Sequence, residues 1–186
     1  MKNQDILEEL DNIELPIEKL ESILFEFQNN IDVVNAIASN IIKKDIMYDY
    51  QKSEIQLLRE FLVKLTYIDN VNIQIAIAKN SYTPNYILKK LSTNSLDLIR
   101  ATISTNEYAS SYILNKLSKD KVKIVRDALA GNSAAPMKIL DKLSKSKDKM
   151  TRMRVAENPS TSKNILKKLI NDIDGDVVNA SIKMFN

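Results

Sequence analysis

From Asn80 to Lys183 the sequence is one unit written four times. The segments NSYTPNYILKKLSTNSLDLIRATIST, NEYASSYILNKLSKDKVKIVRDALAG, NSAAPMKILDKLSKSKDKMTRMRVAE and NPSTSKNILKKLINDIDGDVVNASIK begin at Asn80, Asn106, Asn132 and Asn158 and align without gaps at a spacing of 26 residues. Leu88, Leu114, Leu140 and Leu166 share a column, Ile87, Ile113, Ile139 and Ile165 the one before it, and Leu91, Leu117, Leu143 and Leu169 a third. A fixed period between about 20 and 50 residues is the signature of supersecondary units stacked in an array, each touching only its neighbours.

Within a unit the apolar spacing is helical. From Pro84 to Leu91 apolar residues stand at i, i+1 and i+4, and proline at Pro84 and Pro136 suits a first helical turn, where the missing N–H costs nothing. A second helix is predicted from about Ser95 to Ser104, with Leu96, Ile99 and Ile103 at helical spacing, matched by Val122, Val125 and Leu129 one unit later. With two glycines and four prolines, the chain lacks the turn residues of a hairpin-rich β fold. One such unit cannot stand alone. Five or six buried aliphatic side chains at about 1.5–3 kcal/mol each do not offset fixing 26 backbones at about 1–2 kcal/mol each. The expected fold is all-α, a solenoid of stacked two-helix repeats.

The amino-terminal part follows the same plan less strictly. Asn12 and Pro16 have the spacing of Asn80 and Pro84, Leu20 and Ile23 stand where Leu88 and Leu91 would, and VVNAIASN ending at Asn40 matches NIQIAIAKN ending at Asn80. Residues 1–11 read as a capping helix. Asn40 and Asn80 are 40 residues apart, which leaves an insertion at about 41–54. The expectation is a single domain, 1–186, of about six repeats: an irregular part, 1–69, holding the insertion, and regular repeats over 70–186.

Composition narrows the function. Cysteine and histidine are both absent, which removes disulfides, thiolate metal sites, the commonest metal ligand and the commonest general base. No metal, no cofactor and no enzymatic activity are expected. The start, MKNQDILEELDNIELP, is acidic and polar where a secretory leader needs an unbroken apolar run, and no stretch reaches the roughly 20 apolar residues of a membrane span. A cytoplasmic protein without membrane contact is the expectation. Charge is uneven: residues 1–70 hold 7 basic and 14 acidic side chains, the remainder 20 and 10. That asymmetry leaves open a polyanionic partner for the basic half.

The pairs Asn158-Pro159 followed by Ile165-Leu166 and Leu169, and Ile124-Val125-Arg126 followed by Leu129-Ala130, resemble the leucine-rich repeat variant family and, more distantly, HEAT-like repeats. The resemblance covers residues 70–186 closely and 12–69 loosely. It implies a right-handed superhelix of two short helical segments per unit, one of them 3₁₀ in character, acting as a binding scaffold. The iron–sulfur cluster known in the family has no cysteine ligands in this chain.

Several columns are candidate partner-binding residues. Arg100, Arg126 and Arg152 recur with Asn94, Asp120 and Ser146 six residues earlier, a spacing that fits either a structural hydrogen-bond ladder or guanidinium groups presented to phosphates or carboxylates. Lys90, Lys116, Lys142 and Lys168 flank the apolar face of the first helix in all four units. Helices packed about 8–10 Å apart would set such lysines near three phosphate steps of about 3.4 Å, so the column reads either as a rail for nucleic acid or as a solvated flank. Tyr82 and Tyr108 occupy equivalent sites, as do Tyr86 and Tyr112. The insertion places Met47, Tyr48 and Tyr50 beside charges, a composition favoured at interfaces. Asn80, Asn106, Asn132 and Asn158 lie between helices and read as turn-closing residues. The expected function is a non-catalytic scaffold that binds another protein, with nucleic-acid or other polyanion binding through the basic half as the alternative.

Overall fold

The computed structural model describes residues 3–185. Among the described residues every regular element is an α-helix, thirteen in all. They form a first helix and six helix pairs, the all-α solenoid arrangement that the period predicts. Both helices of each pair are α-helical, so the 3₁₀ segment implied by the family resemblance is absent from the described residues. The reason is local: Ile-Leu-x-x-Leu in the first helix and the apolar pair of the second keep a 3.6-residue face that a 3₁₀ turn would disperse. By its contacts the chain divides into two compact units, Met1–Ile87 and Leu88–Asn186.

The first unit contains α1 (Asn3–Leu10), α2 (Ile17–Phe27), α3 (Ile31–Met47), α4 (Lys52–Leu65) and α5 (Val71–Lys79). α3 packs on α1, α2 and α5, and α4 on α2 and α5. The core is Ile6, Leu10, Leu20, Ile37, Ile41, Leu58, Phe61, Leu62, Leu65, Ile73 and Ile77. Asn30 and Asn70 start α3 and α5 by accepting hydrogen bonds from free backbone N–H groups of the first turn, those of Asp32 and Val33 and that of Ile73. The insertion expected at 41–54 is not a separate element. α3 runs on through Asn40 to Met47, because Ile37, Ile41 and Lys44 continue one buried face and no proline or glycine interrupts it. Residues 48–51 are a short connection, and α4 begins at Lys52.

α6 (Asn85–Leu91) crosses the division between the units. The second unit continues with α7 (Asp97–Thr105), α8 (Ser111–Leu117), α9 (Lys123–Ala130), α10 (Met137–Leu143), α11 (Lys149–Glu157), α12 (Lys163–Leu169) and α13 (Gly175–Phe185). The first helices end in the same way: Ser92, Ser118 and Ser144 turn their hydroxyls back to donate to the carbonyls of Lys89, Asn115 and Asp141, each at 2.8 Å. That occupies a carbonyl that has no partner inside the helix. The second helices pack directly on one another, α7 on α9, α9 on α11 and α11 on α13, while α8, α10 and α12 wedge against them from one side. A close layer beside a spread one is a curved stack with the close layer inside. In this unit α7, α9 and α11 therefore line the inner side.

Candidate functional site

Two polar ladders tie successive repeats together. In the first, each asparagine closes its own turn through Oδ1, which accepts from the residue two ahead: Tyr108 to Asn106, Ala134 to Asn132 and Ser160 to Asn158, all at 2.8 Å. The amide also reaches back one repeat. Asn132 Nδ2 donates to the carbonyls of Ser104 (2.8 Å) and Asn106 (3.3 Å), and Asn158 Nδ2 to those of Ala130 (2.7 Å) and Asn132 (2.8 Å). Asn40 makes the same backward bonds, to Leu10 (2.7 Å) and Asn12 (2.9 Å). Its helix does not stop there, so no loop N–H faces Oδ1, which is buried without a partner.

The second ladder is made by arginine. Arg100 Nη1 donates to the carbonyls of Asn94 and Ser95, and its other edge grips the carboxylate of Asp120 in the next repeat, Nε to Oδ2 at 2.7 Å and Nη2 to Oδ1 at 3.2 Å. Arg152 repeats this on Ser146, Lys147 and Asp172, with carboxylate distances of 2.7 and 2.8 Å. The bound acid stands twenty residues ahead; the residue six behind supplies its backbone carbonyl. These forks draw the carboxyls of Asp120 and Asp172 below the usual carboxylate range, chiefly through the arginine hydrogen bonds. Arg100 and Arg152 are thus committed within the stack.

The lysine column stands on the first helices, away from the inner layer. Lys90 and Lys116 are exposed. Lys142 Nζ turns back to Ser118, 3.3 Å from its carbonyl and 3.2 Å from its hydroxyl, and Lys168 Nζ pairs with Asp141 at 3.1 Å. Burial, and then the neighbouring charge of Lys119, hold the Lys142 ammonium below the usual lysine range.

The tyrosines divide. Tyr48, Tyr50 and Tyr82 form an edge-to-face chain, with ring centroids 4.9 and 5.3 Å apart. It covers Lys44, which is only 1% exposed and sets its Nζ 4.2 Å from the Tyr48 ring centre. Burial lowers the Lys44 pKa and raises that of Tyr50. Tyr48 donates to Glu54 Oε1 at 2.9 Å, and the Glu54 carboxyl is drawn down first by the backbone N–H of Gln51 and then by this bond. Tyr50 is buried and Tyr48 and Tyr82 partly so, whereas Met47 is 68% exposed and Tyr108 64%. Tyr82 and Tyr108, equivalent in sequence, thus stand in different surroundings.

One column escaped the sequence reading. Leu98, Ile124 and Met150 take the second position of α7, α9 and α11, 26 residues apart; Leu98 and Ile124 are exposed and Met150 half-buried, where Ile99, Val125 and Thr151 are buried. Leu98 is 51% and Ile124 56% exposed. A groove of about 510 Å³ lies along the inner helices, lined by Thr105 of α7, by Ile124, Asp127, Ala128 and Gly131 in and after α9, and by Met150 and Arg154 of α11. The signal was present as an apolar residue recurring just before each buried one, but it reads as core until the helix orientation is known.

The chain is similar to a leucine-rich repeat variant. That solved structure, described as a leucine-rich repeat variant with a novel repetitive protein structural motif, shares 14% identity over 91% of this chain and 87% of its own, with a TM-score of 0.37. No protein-family profile and no curated protein matches the chain. The fold assignment rests on the stacking geometry above. Among the described residues, no cluster of three or more acidic residues could hold a metal ion, and no helix is long and apolar enough to cross a membrane.

Proposed function

We propose that this chain is a non-catalytic helical-repeat scaffold, of the leucine-rich repeat variant kind, that binds another protein along the inner side of its second unit. The observation that carries the reading is the row Leu98, Ile124 and Met150, in which Leu98 and Ile124 are exposed and Met150 is half-buried. Single exposed apolar residues are ordinary, but apolar residues recurring at the same position of three inner helices, with Ile124 and Met150 lining one groove, are the kind of patch that marks an interaction surface. The groove beside it has one acid and one base among its lining side chains, Asp127 and Arg154. Asp127 is held by Lys123 and Thr151, and Arg154 stands near Glu157. Apolar side chains of a protein segment suit that lining. A nucleic-acid strand would need a net positive track and aromatic platforms on this face; the lysine column lies on the other layer, and the inner strip is aliphatic.

The test replaces Ile124 by aspartate, an exposed position where helix content should not change. The wild-type chain should capture a protein from its native host that the Ile124→Asp chain fails to capture while its circular dichroism spectrum is retained. Equal capture by both chains, or recovery of nucleic acid in place of protein, would refute the reading.

A further inference from the structure

The arginine ladder has three arginines and two acids. Arg126 is the rung between Arg100 and Arg152, and its Nη1 makes the same two backbone bonds as theirs, to the carbonyls of Asp120 (2.8 Å) and Lys121 (3.0 Å). Those bonds hold the guanidinium plane in the same setting, so its Nε and Nη2 edge is turned toward residue 146, the equivalent of Asp120 and Asp172. Residue 146 is serine. Its hydroxyl accepts the N–H of Asp148 at 3.2 Å, which replaces the loop-closing half of the aspartate's work but supplies no charge. Among the described residues no carboxylate lies within ion-pair distance of Arg126.

The acids nearby are committed elsewhere. Asp120 is held by Arg100, Asp127 by Lys123 and Thr151, and Asp148 caps α11 through Met150 and lies near Lys123. Lys142 sets its Nζ on Ser118, two residues before the Asp120 carbonyl that Arg126 holds, so a second cation stands at the same turn. The equivalent junctions on either side, where the acid is present, are open grooves of about 600 and 530 Å³ lined by Arg100 with Asp120 and by Arg152 with Asp172.

We infer that Arg126 is a binding site for a carboxylate supplied from outside the chain, seated where the ladder's missing aspartate would stand. The preference for a carboxylate follows from the two complete rungs, in which the same fork takes a planar two-oxygen anion through parallel Nε and Nη2 bonds. This deepens the scaffold reading and rests on it for the source of the ligand: an acidic side chain of the bound protein. The recognition itself can be measured without that protein.

The chain has five arginines, so their Nε–H signals are resolvable by nuclear magnetic resonance. In a titration with acetate, and separately with the capped peptide acetyl-Gly-Glu-Gly-amide, the Arg126 signal should move and saturate, while those of Arg100 and Arg152 stay fixed. Sodium chloride at matched ionic strength should not reproduce the shift. In Ser146→Asp the Arg126 signal should move without ligand toward those of Arg100 and Arg152, and the acetate response should weaken at least tenfold. Tighter binding of the peptide than of acetate assigns the site to a polypeptide side chain, and equal binding assigns it to small carboxylic acids; either outcome supports the site. A response to inorganic phosphate but not to carboxylates overturns the inference. So does an equal response at Arg59 and Arg154, or a Ser146→Asp chain that still binds. Because Ile124 is not part of this site, Ile124→Asp should leave the acetate response intact, so the scaffold reading and the carboxylate site can fail independently.

Discussion

Replacing Asn158 by alanine removes three hydrogen bonds at a site that is 2% exposed: two from Nδ2 to the carbonyls of Ala130 and Asn132, and one from the N–H of Ser160 to Oδ1. Each such bond contributes about 1 kcal/mol net, and groups left buried without partners push the total upward, so the substitution should cost about 3 kcal/mol. Asn40→Ala removes the same two backward bonds, but Oδ1 is already unpartnered and the residue lies inside a helix. Alanine there regains about 0.6 kcal/mol of helix propensity and relieves a buried oxygen worth about 1 kcal/mol. Asn40→Ala should therefore cost no more than about 1 kcal/mol. Urea unfolding followed by circular dichroism at constant slope reads both. Asn158→Asp is the control, since it keeps the acceptor for Ser160 but sets a carboxylate against two carbonyls, and it should destabilise at least as much as alanine at neutral pH. Equal costs at Asn40 and Asn158, or an Asn158→Asp chain as stable as wild type, would refute the ladder as the tie between repeats.

Two further outcomes follow from the charged groups. The carboxyls of Asp120 and Asp172 are lowered in the folded chain relative to about 3.8 unfolded, so the stability they contribute is complete above that value and is lost as the pH falls through their folded values. An Asp120→Asn, Asp172→Asn chain should be less stable than wild type at neutral pH, and the gap should close in thermal melts taken from pH 5 toward pH 2; a gap constant across that range would contradict the pairing. Lys44 is buried with a lowered pKa, which makes its protonated form a cost at neutral pH that is relieved as the pH rises through its folded value. Lys44→Met keeps the aliphatic stem and should raise the melting temperature, while Lys44→Ala opens a cavity and should lower it; a fall with methionine would mean that the Tyr48 contact outweighs the burial of charge.

Much of this protein is local chemistry, and that part was legible in the sequence. The 26-residue period, the helix pair within it, the amino-terminal helix and the asparagine and arginine columns all arise from residues a few positions apart, whose capping and apolar spacing are decided by their neighbours in the chain. The partners of those columns were not legible, because a bond from Arg100 to Asp120 or from Asn158 to Ala130 exists only once one repeat is stacked on the next. The same holds for the insertion: continuing α3 through Asn40 depended on Ile41 and Lys44 finding a buried face, which the chain alone does not reveal. The candidate site was the least legible part. Leu98, Ile124 and Met150 are indistinguishable from core residues by spacing, and the absent acid opposite Arg126 is a gap in a pattern whose pairing is visible only in three dimensions. Sequence determined the repeating unit; stacking decided which of its side chains became core, tie or open surface, since burial is a property of the contact between units and not of a unit by itself.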